Sequence, residues 1–220
     1  MKKNIASMAV VVMLAAIPAI SLSQIPSFGV PGSKPSADTG GEDLSGQQTG
    51  LVKSYVAGGK DVLSSQSKLL EALGLKDRAA TAQATSDALG AGATKGELQK
   101  ADEARSASST ALSETLKNQN LTLGAQSKHT YTQGLSLLAS GLIKYTGMKQ
   151  DVAGFSKKLS GPGAMQAGTT LQSGAYIVKT LPSSISNTSS TLSSAVNFAH
   201  SHGIEVPPDA TAALKSATEH

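Results

Sequence analysis

The histidines carry the most versatile chemistry in this sequence, and only two of the four lie close together. His200 and His202 are separated by one residue. On a helix such a pair points about 200° apart, so the two rings cannot share a metal ion. The pair suits a helix end instead, where a cationic side chain interacts favourably with the helix dipole. We therefore expect no metal site at these histidines.

A proton-transfer pair is conceivable at His129 and Tyr131, two residues apart. General acid–base catalysis also needs a partly dry pocket and a group that orients the ring, and no Asp or Glu is near in sequence. Elsewhere in the chain, Asp102, Glu103 and Arg105 lie close to one another and have the pattern of a solvated helix face. We predict that none of these residues is catalytic.

The remaining signatures of catalysis are missing from the sequence. No serine lies in a Gly-x-Ser-x-Gly elbow, and there is neither a P-loop nor a Gly-x-Gly-x-x-Gly turn. The chain has no cysteine, which excludes disulfides and thiolate metal sites. The sequence thus predicts a protein that is not an enzyme, with no cofactor, no metal and no evident small-molecule substrate.

The N-terminus has the pattern of a secretory signal peptide over residues 1–23. Lys2 and Lys3 precede an apolar run, and small residues follow it, so cleavage after Ser23 is predicted, with Ser21 as the competing site. A retained membrane anchor is the alternative, since an apolar run of about 16 residues is short for a membrane span but long enough to allow one. We expect an exported protein, periplasmic or extracellular.

Residues 24–43 are rich in Pro, Gly and Ser and predict a flexible leader. The formal net charge is +4, and removal of the signal peptide with Lys2 and Lys3 leaves +2. A charge this small indicates anionic partners only weakly. We expect no nucleic-acid partner, although a membrane surface remains possible because the chain from Lys117 onwards carries eight Lys against four acids.

Small side chains dominate the rest of the chain, since aromatics make up 3% of residues and Trp is absent. Each small side chain buries little apolar area, so a stable core requires long helices in close approach. We predict an all-α, elongated multi-helix bundle with coiled-coil-like packing over residues 44–206, followed by a short helical tail over residues 207–220.

Two capping motifs and one glycine predict where helices begin and end. Ser45 and Gln48 have the spacing of a capping box, as do Thr94 and Glu97. Gly74 is placed to end the first helix in a Schellman turn.

The clearest pattern is a heptad-like seam of apolar residues between residues 131 and 159, accompanied by glycines spaced six or seven apart. A helical glycine costs up to about 1 kcal/mol relative to alanine, so a row of them predicts close contact between helix backbones. One three-residue insertion in the apolar spacing predicts a stammer. The predicted helix-packing seam consists of Gly134, Leu135, Leu138, Gly141, Leu142, Tyr145, Gly147, Met148, Val152, Gly154, Phe155 and Leu159.

The segment Gly161-Pro162-Gly163 predicts a hairpin, and Pro182 is expected to end or kink the helix that follows.

The leading hypothesis is a non-catalytic structural or interaction protein that packs on itself or on a protein partner. The alternative is a membrane-active or lipid-binding protein in which the helical hairpin 131–181 opens against lipid. The apolar run 135–143 is well short of the roughly 20 residues of a membrane span.

Overall fold

The computed structural model describes residues 40–118, 120–161 and 168–218, and these residues form helices and turns without a strand. The all-α prediction is confirmed. The predicted signal peptide and residues 24–39 of the leader lie outside the described residues. The helices are α1 Gly40–Ala72, α2 Lys76–Ala88, α3 Lys95–Thr115, α4 Ala125–Gly147, α5 Lys149–Leu159, a 3₁₀ turn Gly168–Leu171, α6 Gln172–Ser201 and α7 Pro208–Thr218.

The first helix begins earlier than predicted. Because α1 starts at Gly40, Ser45 lies inside the helix and the capping box proposed for it is wrong. Gln48 contacts a different helix instead: its Nε2 donates to the Thr170 carbonyl at 2.7 Å, and its Oε1 accepts from the Gly174 amide at 2.9 Å. The first amides of α6 lack partners within their own helix, so Gln48 supplies one.

The end of α1 is the predicted Schellman turn. The Leu75 amide donates to the Leu70 carbonyl at 2.8 Å, and the Gly74 amide donates to the Glu71 carbonyl at 3.0 Å. Gly74 has φ +86°, a conformation that glycine adopts without the steric cost of a Cβ. These bonds satisfy carbonyls that the end of a helix would otherwise leave free.

The second predicted capping box is present at the start of α3. The Thr94 hydroxyl accepts from the Glu97 amide at 3.4 Å, and the Glu97 carboxylate accepts from the Thr94 amide at 2.7 Å. The hydrogen bonds from Thr94 lower the pKa of Glu97 below its usual value. The box fixes where α3 begins.

The α1–α4 contact forms the centre of the described fold, and its two helices run antiparallel. Gly58 of α1 lies against Tyr145 of α4, and Gly134 of α4 lies against Leu69 of α1. A Cβ at Gly134 would come within 2.8 Å of the Leu69 side chain. A Cβ at Gly141 would come within 2.6 Å of a Val62 methyl group and 3.2 Å of the Val62 amide nitrogen. Close backbone approach is therefore what these glycines permit.

The glycines spaced six or seven residues apart do not allow a close helix–helix approach at Gly147 and Gly154. Gly147 and Gly154 are exposed, and a Cβ at either position would meet nothing within 4 Å. The helix breaks at Met148, at the end of the three-residue insertion in the apolar spacing. The apolar side chains of the seam stay inside the core across this break. They are Leu135, Leu138, Leu142, Tyr145, Met148, Val152 and Phe155, with Leu159 partly buried.

The C-terminal part of the chain completes the core. Helix α6 continues through Pro182 rather than ending there. In α7, Ala210 and Ala213 are fully buried, and this helix packs against α4 and α6. The described part of the predicted tail, residues 207–218, therefore contributes to the same packed core. Residues 162–167, which include most of the predicted hairpin turn, lie outside the described residues.

Candidate functional site

Two of the three charges interpreted as a solvated face of α3 are largely covered by other helices, so that prediction is wrong for Asp102 and Arg105. The Arg105 side chain is 8% exposed and the Asp102 side chain 19% exposed, and the two form an ion pair. The cause is that α3 packs against both α1 and α6, which cover this face. Glu103 alone is exposed as expected.

Two tyrosines from different helices donate to the Asp102 carboxylate. The Tyr55 hydroxyl of α1 lies 2.9 Å from Asp102 Oδ2, and the Tyr176 hydroxyl of α6 lies 2.7 Å from the same oxygen. The Tyr55 hydroxyl also lies 2.8 Å from Ser184 Oγ. Asp102 therefore joins α1, α3 and α6 through hydrogen bonds to a charged group, which are stronger than neutral ones.

Arg105 also contacts two tyrosines. Its Nη2 donates to the Tyr55 hydroxyl at 2.9 Å, and its Nη1 donates to the Tyr145 hydroxyl. The guanidinium carbon lies 5.3 Å from the ring centroid of Tyr55 and 5.2 Å from that of Tyr145, within the range of cation–π attraction. We call Tyr55, Asp102, Arg105, Tyr145 and Tyr176 the polar cluster.

Burial changes the acidity of the cluster. It raises the pKa of Asp102 to about 6, and the hydrogen bonds from Tyr176 and Tyr55 act in the opposite direction. Burial also raises the pKa of Tyr55, against the lowering effect of Arg105. The pKa of Tyr176 is raised by burial and by its bond to Asp102. Tyr55 and Tyr176 thus stay protonated and act as donors.

Two buried polar atoms of this region lack a hydrogen-bond partner within the described part of the chain. One is Nε of Arg105, and the other is Oε1 of Gln66. The amide nitrogen of Gln66 is satisfied, since it donates to the Arg105 carbonyl at 3.0 Å and to Ser109 Oγ at 2.8 Å. A buried polar atom without a hydrogen-bond partner costs free energy, so each of the two makes the region less stable.

A hydroxyl-lined groove covers the polar cluster. A cavity of about 160 Å³ touches Asp102 and Arg105 and continues into an open groove of about 400 Å³ between α3 and α6. A third depression of about 280 Å³ extends it towards His202. The α3–α6 groove is lined on α3 by Ser106, Ser109 and Ser113 and on α6 by Asn187, Ser190 and Ser194.

A second groove, between α5 and α6, has the opposite character. It encloses about 370 Å³ and shares no lining residue with the α3–α6 groove. The α5–α6 groove is lined by Lys149, Val152, Ala153, Ser156, Val178, Leu181, Pro182 and Ile185.

The histidines are placed at separate positions. His202 stacks on Phe198 with ring centroids 3.8 Å apart, and its Nδ1 lies 2.9 Å from the Phe198 carbonyl. His129 Nε2 lies 2.9 Å from the Gln133 amide. Across the described ranges, no three His, Cys, Asp or Glu side chains come together as a metal-binding group would. In the same ranges, no helix combines the length and the hydropathy that crossing a membrane requires.

Sequence reasoning missed the polar cluster because it assigned Tyr145 to the apolar seam without asking where the hydroxyl group would lie. The rings of Tyr145 and Tyr55 are both buried. A buried tyrosine hydroxyl normally requires a hydrogen-bond partner, and this requirement was the available signal. It would have shown that a polar group lies inside the bundle, without identifying Arg105 as that group.

Comparisons with protein-family models, curated proteins and solved structures found no match to this chain.

Proposed function

We propose that this chain is an exported, non-catalytic helical-bundle protein with a structural or protein-interaction role in the bacterial envelope or exterior. In this proposal it associates with a second copy of itself through the α3–α6 groove. The observation that carries the proposal is the α3–α6 groove itself, which is open to solvent and is lined mostly by small hydroxyl side chains.

The size of these side chains favours a helical occupant. Serine and threonine let the backbone of a docking helix approach closely and offer it hydrogen bonds. The groove and its extensions run beside α3 from Asp102 to the end of the helix at Thr115 and reach Lys117 just beyond it. The helical part of this distance is about 20 Å at 1.5 Å per residue, or roughly three and a half helical turns. Helix α3 or α6 of a second copy is long enough to fill the groove.

The charges that line the groove are complementary under two-fold symmetry. Glu114 and Lys117 are both exposed on its α3 side, and neither has an ion pair among the described residues. In an isologous dimer, a contact from Glu114 to Lys117 of the second copy is repeated in reverse. Two ion pairs would then form across one interface, which favours a second copy as the occupant.

Static light scattering on the purified mature chain tests the proposal. We expect a dimer at micromolar concentration. The variant Ser190→Trp places a large ring in the groove and is expected to give a monomer. Ser193 is exposed on α6 outside the groove lining, so Ser193→Trp is the matched control and is expected to dimerise.

A strict monomer at all concentrations, or a dimer unaffected by Ser190→Trp, would count against the groove as the interface. Circular dichroism on each variant establishes that the helices are retained. A wild-type monomer that binds a different envelope protein through the same groove would replace the second copy with that partner and overturn self-association.

A membrane-active protein using the hairpin 131–181 is the second candidate. It is favoured by the charge of α5, which carries Lys149, Lys157 and Lys158 against the single acid Asp151. Six residues before α5 in the chain, on α4, is Ile143, a large hydrophobic side chain that is 47% exposed. Cosedimentation with anionic vesicles at low salt distinguishes this candidate. Absence of binding under those conditions removes it.

A further inference from the structure

The α5–α6 groove has the surface of a small-molecule site rather than of a helix contact. Val152, Leu181 and Ile185 are buried and form its floor, while Ala153 and Pro182 are exposed on its walls. Its volume of about 370 Å³ falls within the range of roughly 300–1,000 Å³ typical of ligand sites. The lining is almost entirely aliphatic, so the portion of a ligand that it covers must be apolar.

One charge interrupts this lining. Among the residues that the structure describes, Lys149, the first residue of α5, is the only charged one that lines the groove. Asp151, the only acid of α5, is two residues further on and therefore points about 200° away around the helix. No carboxylate thus competes for Lys149 from the groove lining. The complementary ligand is an apolar chain that carries one negative charge.

We propose that the α5–α6 groove binds a medium-chain fatty acid such as dodecanoate, with the acyl chain along the aliphatic floor and the carboxylate at Lys149. This binding goes beyond self-association and does not depend on it, because the two grooves share no lining residue. The carboxylate distinguishes this ligand from a fatty alcohol, which lacks the charge. A cationic amphiphile of equal length would place a like charge against Lys149.

Because Lys149 is at the start of α5, its charge can be reversed by substitution without unfolding the protein. A negative side chain at the N-terminus of a helix interacts favourably with the helix dipole, so Lys149→Glu is expected to fold. Lys157 is exposed on the same helix and does not line the groove. Lys157→Glu therefore makes the same change in net charge without altering the groove. Ala153→Phe fills the groove from an exposed position.

The test is a titration of the ¹⁵N-labelled full chain with dodecanoate below its micellar concentration, followed by NMR. Saturable shifts are expected at Ala153, Val178 and Ile185 but not at Ser190 in the other groove. Dodecanoate is expected to bind at least about tenfold more tightly than dodecyltrimethylammonium. Ala153→Phe should abolish the shifts, and Lys149→Glu should weaken binding about tenfold, whereas Lys157→Glu should bind as the wild type does.

Several results would overturn the inference. One is the absence of saturable shifts with dodecanoate up to millimolar concentration. Another is a set of shifts outside α5 and α6, or shifts that persist in Ala153→Phe. Equal weakening by Lys149→Glu and Lys157→Glu would show that net charge, and not the groove, attracts the amphiphile. Circular dichroism distinguishes loss of binding from loss of folding in each variant.

Discussion

The α1–α4 contact and the polar cluster lie side by side, share Tyr145, and are held together by opposite physical means. Along the α1–α4 contact, Gly134 and Gly141 remove side chains so that backbone and aliphatic atoms meet. In the polar cluster, Arg105 and Asp102 bring charge into the interior and are covered by tyrosines. The first region is close-packed, whereas the second retains unpartnered atoms and a cavity.

The difference shows which region can change its contacts. Close-packed glycine contacts have one good arrangement, because any added atom meets backbone. A buried ion pair is seldom the most stable way to fill a core, since apolar residues of similar size often do so as well. The polar cluster therefore has more freedom to rearrange its contacts than the α1–α4 contact has.

The largest expected effect comes from removing one partner of the ion pair. Arg105→Ala leaves the Asp102 carboxylate without its cation and should lower the free energy of unfolding by about 3–5 kcal/mol at pH 7.5. Urea denaturation measures this. Arg78 is exposed on α2, and Arg78→Ala is the control, with an expected change of less than about 0.5 kcal/mol. Equal effects of the two substitutions would show that the cluster does not stabilise the fold.

The pH dependence of stability is expected to originate in the same cluster. The pKa of Asp102 in the folded chain, about 6, lies above the value of about 3.9 for an unfolded aspartate. The proton that the folded chain retains stabilises it fully below about pH 4, and this stabilisation is lost as pH rises through 6. Between pH 4 and pH 7 the wild type should therefore lose about 2–3 kcal/mol relative to Asp102→Asn. Urea denaturation across this range measures the difference, and a constant difference would contradict the assignment.

The α1–α4 contact should respond to added volume instead of added charge. Gly141→Ala places a methyl group against Val62 Cγ2 and the Val62 amide, and it should destabilise by about 1–3 kcal/mol despite the better helix propensity of alanine. Thermal unfolding followed by circular dichroism measures this. A stabilising Gly141→Ala would mean that α1 and α4 are not in close contact.

The smallest expected effect has the opposite sign. Gly154 is helical and open to solvent, so Gly154→Ala adds helix propensity without a clash. It should stabilise the chain by about 0.5–1 kcal/mol, measured in the same thermal unfolding experiment. Destabilisation here would place Gly154 in a packed contact and remove the contrast with Gly141.

The sequence predicted those parts of the fold that depend on periodicity and on local chemistry. The Thr94 capping box and the Gly74 turn follow from hydrogen bonds within a few residues, which a sequence displays directly. The helical pattern through Leu135 and Leu142 also shows in spacing alone. The Ser45 box failed because the same residue types suit a helix interior, and because Gln48 is used by a helix more than 120 residues away.

The candidate site could not be predicted in the same way. Whether Arg105 faces solvent or the core depends on which helices cover α3, and the spacing of charges along α3 does not contain that information. The glycine rhythm failed at Gly147 and Gly154 for a related reason, since a close approach requires a neighbouring helix at that exact height. Both errors concern long-range contacts that one helix does not encode.

Sedimentation velocity on two charge variants tests the proposed self-association most directly. Glu114→Lys and Lys117→Glu each place like charges across the two-fold interface, so each variant alone is expected to sediment as a monomer. Mixed in equal amounts, they restore both ion pairs, and the mixture is expected to sediment as a dimer. A mixture that sediments as two monomers, or single variants that associate as well as the wild type, would contradict association through the α3–α6 groove.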